Sequence, residues 1–185
     1  MLTLTDIACL FAEHGDEQYS GEPVTQLEHA LQTACFAERD GADDELITAA
    51  LLHDLGHLLH DLGATPSLRG VDDIHQYRSL PFLRGLFSDD VLNTIKFHVD
   101  AKRYLCAVRP EYHARLSDDS KRSLLLQGGT FSATAADEFI QQPGAKRAIQ
   151  LRLWDDAAKD ATLTTPTLAH FMQSAARCAL KVQAS

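Results

Sequence analysis

A histidine and an aspartate stand side by side in an otherwise apolar stretch, Leu51-Leu-His-Asp-Leu-Gly-His57. Inside a protein, an imidazole and a carboxylate lose hydration free energy unless each is paired or binds a metal ion. A buried, hydrogen-bonded His–Asp pair is one explanation of His53 and Asp54. A metal site is the other, because neutral imidazole and a carboxylate that bridges two ions are suitable ligands of a two-metal centre.

The apolar residues around this pair recur at helical spacing from about Asp43 to Leu58. This pattern predicts one helix with the pair in its middle. His57 follows His53 by four residues and is therefore expected on the same helical face.

Further residues of metal-binding type lie on other predicted helices. Taken singly, each is explained as a satisfied core or boundary residue. Taken with the pair, they give the order H…HD…H…H…D, in which the ligands come from different helices, as in metal sites inside helical bundles. They are His29, after the capping box Thr25-Gln-Leu-Glu28, His75, in the first turn of a short helix broken by Pro81, His98, on a helix from Val91 to Val108, and Asp155, on a helix from 145 to 160.

The remaining elements are also predicted to be helices. No stretch shows the alternation and hairpin turns of strands, and no repeat or linker divides the chain, so we expect one all-α domain over residues 1–185. Pro110 is expected to end the helix that carries His98, which places Tyr112 and His113 in a surface connection. Thr165-Pro166 is expected to open a last helix that runs to about Val182.

Composition excludes several classes of protein. The formal net charge of −9 argues against general nucleic-acid binding, which needs a basic surface. No apolar run is long enough to span a membrane, and the N-terminus does not resemble a signal peptide. The four cysteines are widely spaced, which predicts reduced thiols in a cytoplasmic protein.

The ligand order over residues 19–160 resembles the HD-domain superfamily. The resemblance implies a helical bundle with a dinuclear metal site in its core. His29, His53, Asp54 and Asp155 would hold a first iron, and Asp54, His75 and His98 would hold a second. A ligand set of nitrogen and oxygen suits iron or manganese without excluding zinc.

Dinuclear HD proteins include phosphohydrolases and oxygenases. The segment from Tyr19 to His29 resembles the loop of PhnZ-like organophosphonate oxygenases, and so do His98-Val-Asp-Ala-Lys102 and Arg152-Leu-Trp-Asp155. The resemblance implies that Tyr19 reaches the open iron site, that Glu22 binds the amino end of the substrate and that Lys102 and Arg152 hold its phosphonate. His57 matches a histidine of the outer shell in that branch, with catalytic and substrate-binding roles. Ser120 is a further candidate phosphonate donor, although Ser120 and Ser123 are equally explained by helix capping.

This branch implies a mixed-valent Fe(II)/Fe(III) pair that uses O2 to cleave the C–P bond of a small organophosphonate. The expected substrate is a 1-hydroxy-2-aminoethylphosphonate, with a free or an N-methylated amine, and the products are glycine or glycine betaine plus phosphate. Trp154 and Tyr104 are either core residues or cation–π contacts to a quaternary amine. A 2-oxoglutarate-dependent hydroxylase is the implied pathway neighbour. The alternative is a metal-dependent phosphohydrolase that acts on a nucleotide or another phosphate ester.

Overall fold

A computed structural model of the chain describes residues 1–19, 21–59, 62–63 and 65–180. Within these ranges the chain is helical and contains no strand, in agreement with the predicted all-α class. The helices are α1 Leu4–His14, α2 Gln26–Arg39, α3 Asp44–Leu52, α4 His75–Arg78, α5 Leu80–Leu83, α6 Asp89–Val108, α7 Pro110–Arg115, α8 Asp118–Leu126, α9 Ala133–Ile140, α10 Ala145–Ala157 and α11 Leu168–Cys178. Short 3-10 helices span Leu55–Leu59 and Pro66–Arg69.

The main apolar core lies around α3, which packs against α2, α6, α10 and α11. Every residue of α3 from Leu46 to Leu52 is buried, as expected of a helix that is apolar on all sides. The core also takes in Ile7 and Phe11 of α1 and Phe171 of α11. Four helices therefore surround one buried helix, and polar groups at the end of that helix lie deep in the protein.

The predicted single helix from 43 to 58 is wrong. The α-helix ends at Leu52, and Leu55–Leu59 form a 3-10 helix after a turn. Gly56 explains the tight path, because a Cβ at this position would lie 2.1 Å from the carbonyl oxygen of His75. His53 and Asp54 thus stand at the C-terminal end of α3, where the last carbonyls lack helical partners.

Two other expectations are corrected. Tyr112 is buried in α7 and does not lie in a surface connection, because Pro110 takes the first turn of a new helix, where its missing N–H costs nothing. The last helix is capped by Thr167 and not by Thr165, and it begins at Leu168. The predicted end of that helix, near Val182, lies outside the described residues.

Helix starts were more predictable than helix ends. The capping box of Thr25 and Glu28 is present at the start of α2, with Thr25 accepting from the Glu28 amide at 3.2 Å. Ser88 and Ser117 cap α6 and α8 in the same way, each accepting from an amide three residues later. No helix in the described ranges has the length and hydrophobicity that a membrane crossing requires.

Candidate metal centre

The predicted ligands come together in two neighbouring clusters at the centre of the bundle. His29 of α2, His53 after α3 and Asp155 of α10 form one cluster, and within each cluster the ligand atoms lie within 4.8 Å of one another. Asp54, His75 and His98 form the other. All six residues are buried. Five separate segments of the chain therefore place these six side chains at one site.

Asp54 stands between the two clusters. Its Oδ2 lies 3.3 Å from Nε2 of His53 and 3.6 Å from Nε2 of His29. Its Oδ1 lies 3.3 Å from Nε2 of His75 and 3.5 Å from Nε2 of His98. One oxygen thus faces each cluster, as required of a carboxylate that bridges two ions.

Hydrogen bonds at the far side of each ring orient the four histidines. The Nδ1 atoms of His29, His53 and His98 lie 2.8, 2.9 and 2.7 Å from the carbonyl oxygens of Ala158, Ala50 and Ile95. The Nδ1 of His75 lies 2.8 Å from Oδ1 of Asp73. Carbonyl and carboxylate oxygens accept, so each Nδ1 donates its hydrogen. In the neutral rings each Nε2 is left with a lone pair, which is the arrangement of metal-binding histidines.

These lone pairs point at one another. The Nε2 atoms of His29 and His53 are 3.3 Å apart, and those of His75 and His98 are 3.0 Å apart. Two buried carboxylate oxygens beside them, Asp54 Oδ1 and Asp155 Oδ1, have no hydrogen-bond partner. Facing lone pairs and orphaned anionic oxygens are costly without a cation between them. The residues therefore fit two metal ions.

A proton competes with a metal ion for the first cluster. Burial by itself lowers the pKa of His53, but the charges of Asp54 and Asp155 outweigh it and raise that pKa to about 9. Metal binding at neutral pH would thus release a proton from this histidine.

Tyr19 covers the first cluster from the loop before α2. Its hydroxyl donates to Asp54 Oδ2 at 2.9 Å, and its ring stacks on His29 with centroids 3.9 Å apart. Burial and the charge of Asp54 raise the pKa of Tyr19 well above its usual value. Tyr19 is therefore a neutral phenol that reaches the carboxylate of Asp54, between the two clusters.

His57 is held beside the second cluster by a residue that the sequence did not single out. Asp73 accepts from Nδ1 of His57 at 2.7 Å through one oxygen and from Nδ1 of His75 at 2.8 Å through the other. The rings of His57 and His75 stack at 4.2 Å. Burial lowers the pKa of His57, but Asp54 and Asp73 outweigh it and raise the pKa. The only signal in the sequence was the position of Asp73, two residues before a candidate ligand.

A cavity of about 50 Å³ opens onto the carboxylate of Asp54, and Lys102 and Arg152 form part of its wall together with further aspartates. Lys102 is 2% exposed, and its ammonium nitrogen donates to Ser123 Oγ at 2.8 Å. Burial, reinforced by the charge of Arg152, lowers the pKa of Lys102 to about 7. Ser120 also lines this wall. Lys102 and Arg152 suit a bound anion, which would favour the charged form of the lysine.

Arg152 is held in place by two aspartates and a tyrosine, of which Asp156 was not among the predicted site residues. Its guanidinium lies 2.7 Å from Asp155 Oδ2, bonds Asp156, and donates from Nε to the hydroxyl of Tyr112 at 3.2 Å. Tyr112 in turn bonds Asp156. Arg152 thus links the cavity wall to a candidate ligand of the first cluster.

Three of the singled-out residues lie away from the described cavity wall. Glu22 pairs with Lys159 at 2.9 Å. Trp154 is a core residue whose indole nitrogen donates to Asp40 Oδ2 at 2.7 Å. Tyr104 packs its ring 5.5 Å from that of Phe139. The packing favours the core explanation for Trp154 and Tyr104.

The comparisons with known proteins agree with this arrangement. Residues 27–127 match the HD domain family. A glycine-betaine-forming 1-hydroxy-2-(trimethylamino)ethylphosphonate dioxygenase of Leisingera caerulea is 42% identical over 165 residues, which are 89% of this chain and 84% of that protein. A hydroxymethylphosphonate dioxygenase of Gimesia maris is 41% identical over 176 residues, 95% of this chain and 87% of that protein. An uncharacterized protein of Acanthamoeba polyphaga mimivirus is 37% identical over 153 residues, which are 81% of this chain and 69% of that protein.

The fold and the two histidine–aspartate clusters define an HD-domain metalloprotein. The chain belongs to the HD domain family, in the branch that contains these phosphonate dioxygenases, and it is a metal-dependent oxygenase.

Proposed function

We propose that this enzyme uses O2 to cleave the C–P bond of a small 1-hydroxyphosphonate, a 1-hydroxy-2-aminoethylphosphonate with a free or an N-methylated amine. The observation that supports the proposal is a cavity lined by Lys102, Arg152 and the carboxylate of Asp54, which lies between two clusters that fit metal ions, in a chain 42% identical to a phosphonate dioxygenase. We take residues 1–185 to be a single HD domain.

The net reaction balances without a further reductant. O2 oxidises C1 of the substrate to a carboxylate, the C–P bond breaks, and phosphorus leaves as inorganic phosphate. The free amine gives glycine and the trimethylated amine gives glycine betaine. All four electrons that O2 accepts come from the substrate.

The metal is proposed to be a pair of iron ions, Fe(II) and Fe(III). His29, His53 and Asp155 would hold one ion, His75 and His98 would hold the other, and Asp54 would bridge them. When bound, such a pair supplies the redox chemistry that activates O2. The nitrogen and oxygen donors are of the type that iron prefers.

The residues around the cavity would bind and orient the substrate. Lys102, Arg152 and Ser120 would hold the phosphonate oxygens, because a buried dianion needs charge-assisted donors. His57, fixed by Asp73, would donate to the same group. Tyr19 would leave Asp54 when substrate arrives and admit O2, and Glu22 would pair with the ammonium.

The alternative function, hydrolysis of a phosphate ester, is not favoured by the relatives, two of which are named as dioxygenases. The two functions differ in their need for O2. Iron-loaded protein is incubated without oxygen with 2-amino-1-hydroxyethylphosphonate and its trimethyl analogue, and phosphate and the amino acid are quantified before and after oxygen is admitted. Phosphate released only after oxygen supports the proposal. Anaerobic hydrolysis of phosphate esters, with neither phosphonate cleaved, contradicts it.

Two variants test the assigned residues. Tyr19→Phe removes the bond to Asp54 and should alter the iron spectrum and the oxygen reactivity, whereas a hydrolase would be indifferent. His75→Ala should lose the second iron while the helical fold persists, which circular dichroism and metal analysis measure together. Two irons per chain in His75→Ala would remove His75 from the ligand set.

The cellular setting is proposed from composition and substrate chemistry. Scattered free cysteines and an acidic charge are consistent with the cytoplasm. The 1-hydroxyphosphonate is proposed to arise by hydroxylation of the corresponding phosphonate, and a 2-oxoglutarate-dependent hydroxylase is the proposed neighbour.

A further inference from the structure

The loop that carries Tyr19 also carries a carboxylate that is already occupied. Glu22 follows Tyr19 by three residues, and the Glu22 amide donates to the Tyr19 carbonyl at 2.7 Å. The Glu22 carboxylate accepts from the ammonium of Lys159 at 2.9 Å. The side chains of Glu22 and Lys159 are only 13% and 15% exposed.

Lys159 is held in place from more than one direction. Its ammonium also donates to Ser117 Oγ at 3.2 Å, at the start of the helix that carries Ser120. The preceding residue, Ala158, is buried and accepts from the candidate ligand His29. The lysine is therefore fixed within the structure around the site, and its charge is mostly shielded from solvent.

We infer that Lys159 is a specificity-determining residue, an internal cation that competes with the ammonium of the substrate for Glu22. The inference rests on the proposed function, in which Glu22 pairs with that ammonium. A cationic substrate has to displace Lys159 and leave its charge mostly buried, which is costly. A 1-hydroxyphosphonate without a positive charge leaves the pair intact. Lys159 thus reduces the gain in binding affinity that cationic substrates obtain from Glu22.

The test compares the binding of two phosphonates that differ in charge at the far end. Dissociation constants of 2-amino-1-hydroxyethylphosphonate and of hydroxymethylphosphonate are measured by calorimetry on iron-loaded protein without oxygen. Lys159→Met should raise the preference for the cationic ligand at least tenfold, which is about 1.4 kcal/mol. Lys159→Arg, which preserves the ion pair, should behave as the parent does. Lys146→Met, on the exposed surface of α10, is the matched control and should also show no change.

A double-mutant cycle links the effect to Glu22. In a Glu22→Gln background, Lys159→Met should no longer change the preference, because no carboxylate remains for the two cations to share. An unchanged preference in Lys159→Met, or the same increase in both backgrounds, would overturn the inference.

Turnover separates this inference from the proposed function. If the parent protein releases no phosphate from either phosphonate with oxygen, the proposed function fails, and the calorimetric comparison still decides the role of Lys159. If it cleaves phosphonates while Lys159→Met binds both ligands as the parent does, only the inference fails.

Discussion

Lys102 places a titratable ammonium inside the protein at a cost in stability that should be measurable. The lysine is 2% exposed and its nitrogen donates to Ser123. Burial, followed by the repulsion of Arg152, lowers its pKa from 10.5 to about 7. We predict that Lys102→Met stabilises the protein and impairs phosphonate binding.

The magnitude follows from the two pKa values. The difference between 10.5 and about 7 corresponds to a ceiling of about 5 kcal/mol at pH 6, since one pKa unit is worth about 1.36 kcal/mol. Replacement of buried charges by apolar residues of similar volume yields about 1–4 kcal/mol at best. We expect a gain of about 1–3 kcal/mol at pH 6.

The pH dependence has a fixed sign. Between pH 7 and about 10.5 the unfolded chain keeps the proton of Lys102 whereas the folded protein has released it, so unfolding takes up a proton. The stability contributed by this group therefore rises with pH over that window. The advantage of Lys102→Met should be largest below pH 7 and should vanish as pH approaches 10.

Urea unfolding of both iron-loaded proteins at pH 6, 7, 8 and 9 measures this advantage. Lys146→Met is the matched control, and its free energy of unfolding should stay within about 0.5 kcal/mol of the parent. For the phosphonate, kcat/KM should fall about 10- to 100-fold, the worth of a charge-assisted hydrogen bond. A Lys102→Met protein that is less stable at pH 6, or equally stabilised at every pH, would refute the reasoning.

Three other variants probe how the site is held. Gly56→Ala forces a Cβ toward the His75 carbonyl and should lower iron content toward one ion per chain, with stability reduced by more than about 2 kcal/mol; metal analysis showing two ions would contradict it. Asp73→Asn loosens both His57 and His75, so activity should fall about 10- to 100-fold with weaker retention of the second ion against a chelator, and wild-type retention would count against this role. Thr25→Ala removes a helix cap and should cost about 1 kcal/mol in urea unfolding while iron content stays at two; a loss of iron would tie the cap to the site.

The types and order of the candidate ligands could be read from the sequence. Histidine and aspartate in an apolar segment need an explanation, and the pattern from His29 to Asp155 indicated a metal site. The start of α2 was equally predictable, because a capping side chain bonds an amide only three residues away. Local chemistry of this kind needs no tertiary partner.

The end of α3 could not be predicted from the sequence. Apolar periodicity continues through Leu58, and the pattern therefore predicted one helix. The α-helix ends near His53 because of a contact with a residue distant in sequence. The His75 backbone packs directly against Gly56. Tyr112 was misplaced for a similar reason, since its burial depends on Arg152 and Asp156 of another helix.

The sequence by itself determined the class of fold, the candidate ligands and the kind of chemistry they suit. The tertiary structure alone decided how these side chains are used. It directs one oxygen of Asp54 to each cluster, turns four Nε2 lone pairs inward through partners such as Asp73, and gives Glu22 a lysine that no spacing predicts. The physical reason is that ligand type is a property of single residues, whereas tautomer, pairing and charge depend on neighbours that only folding brings together.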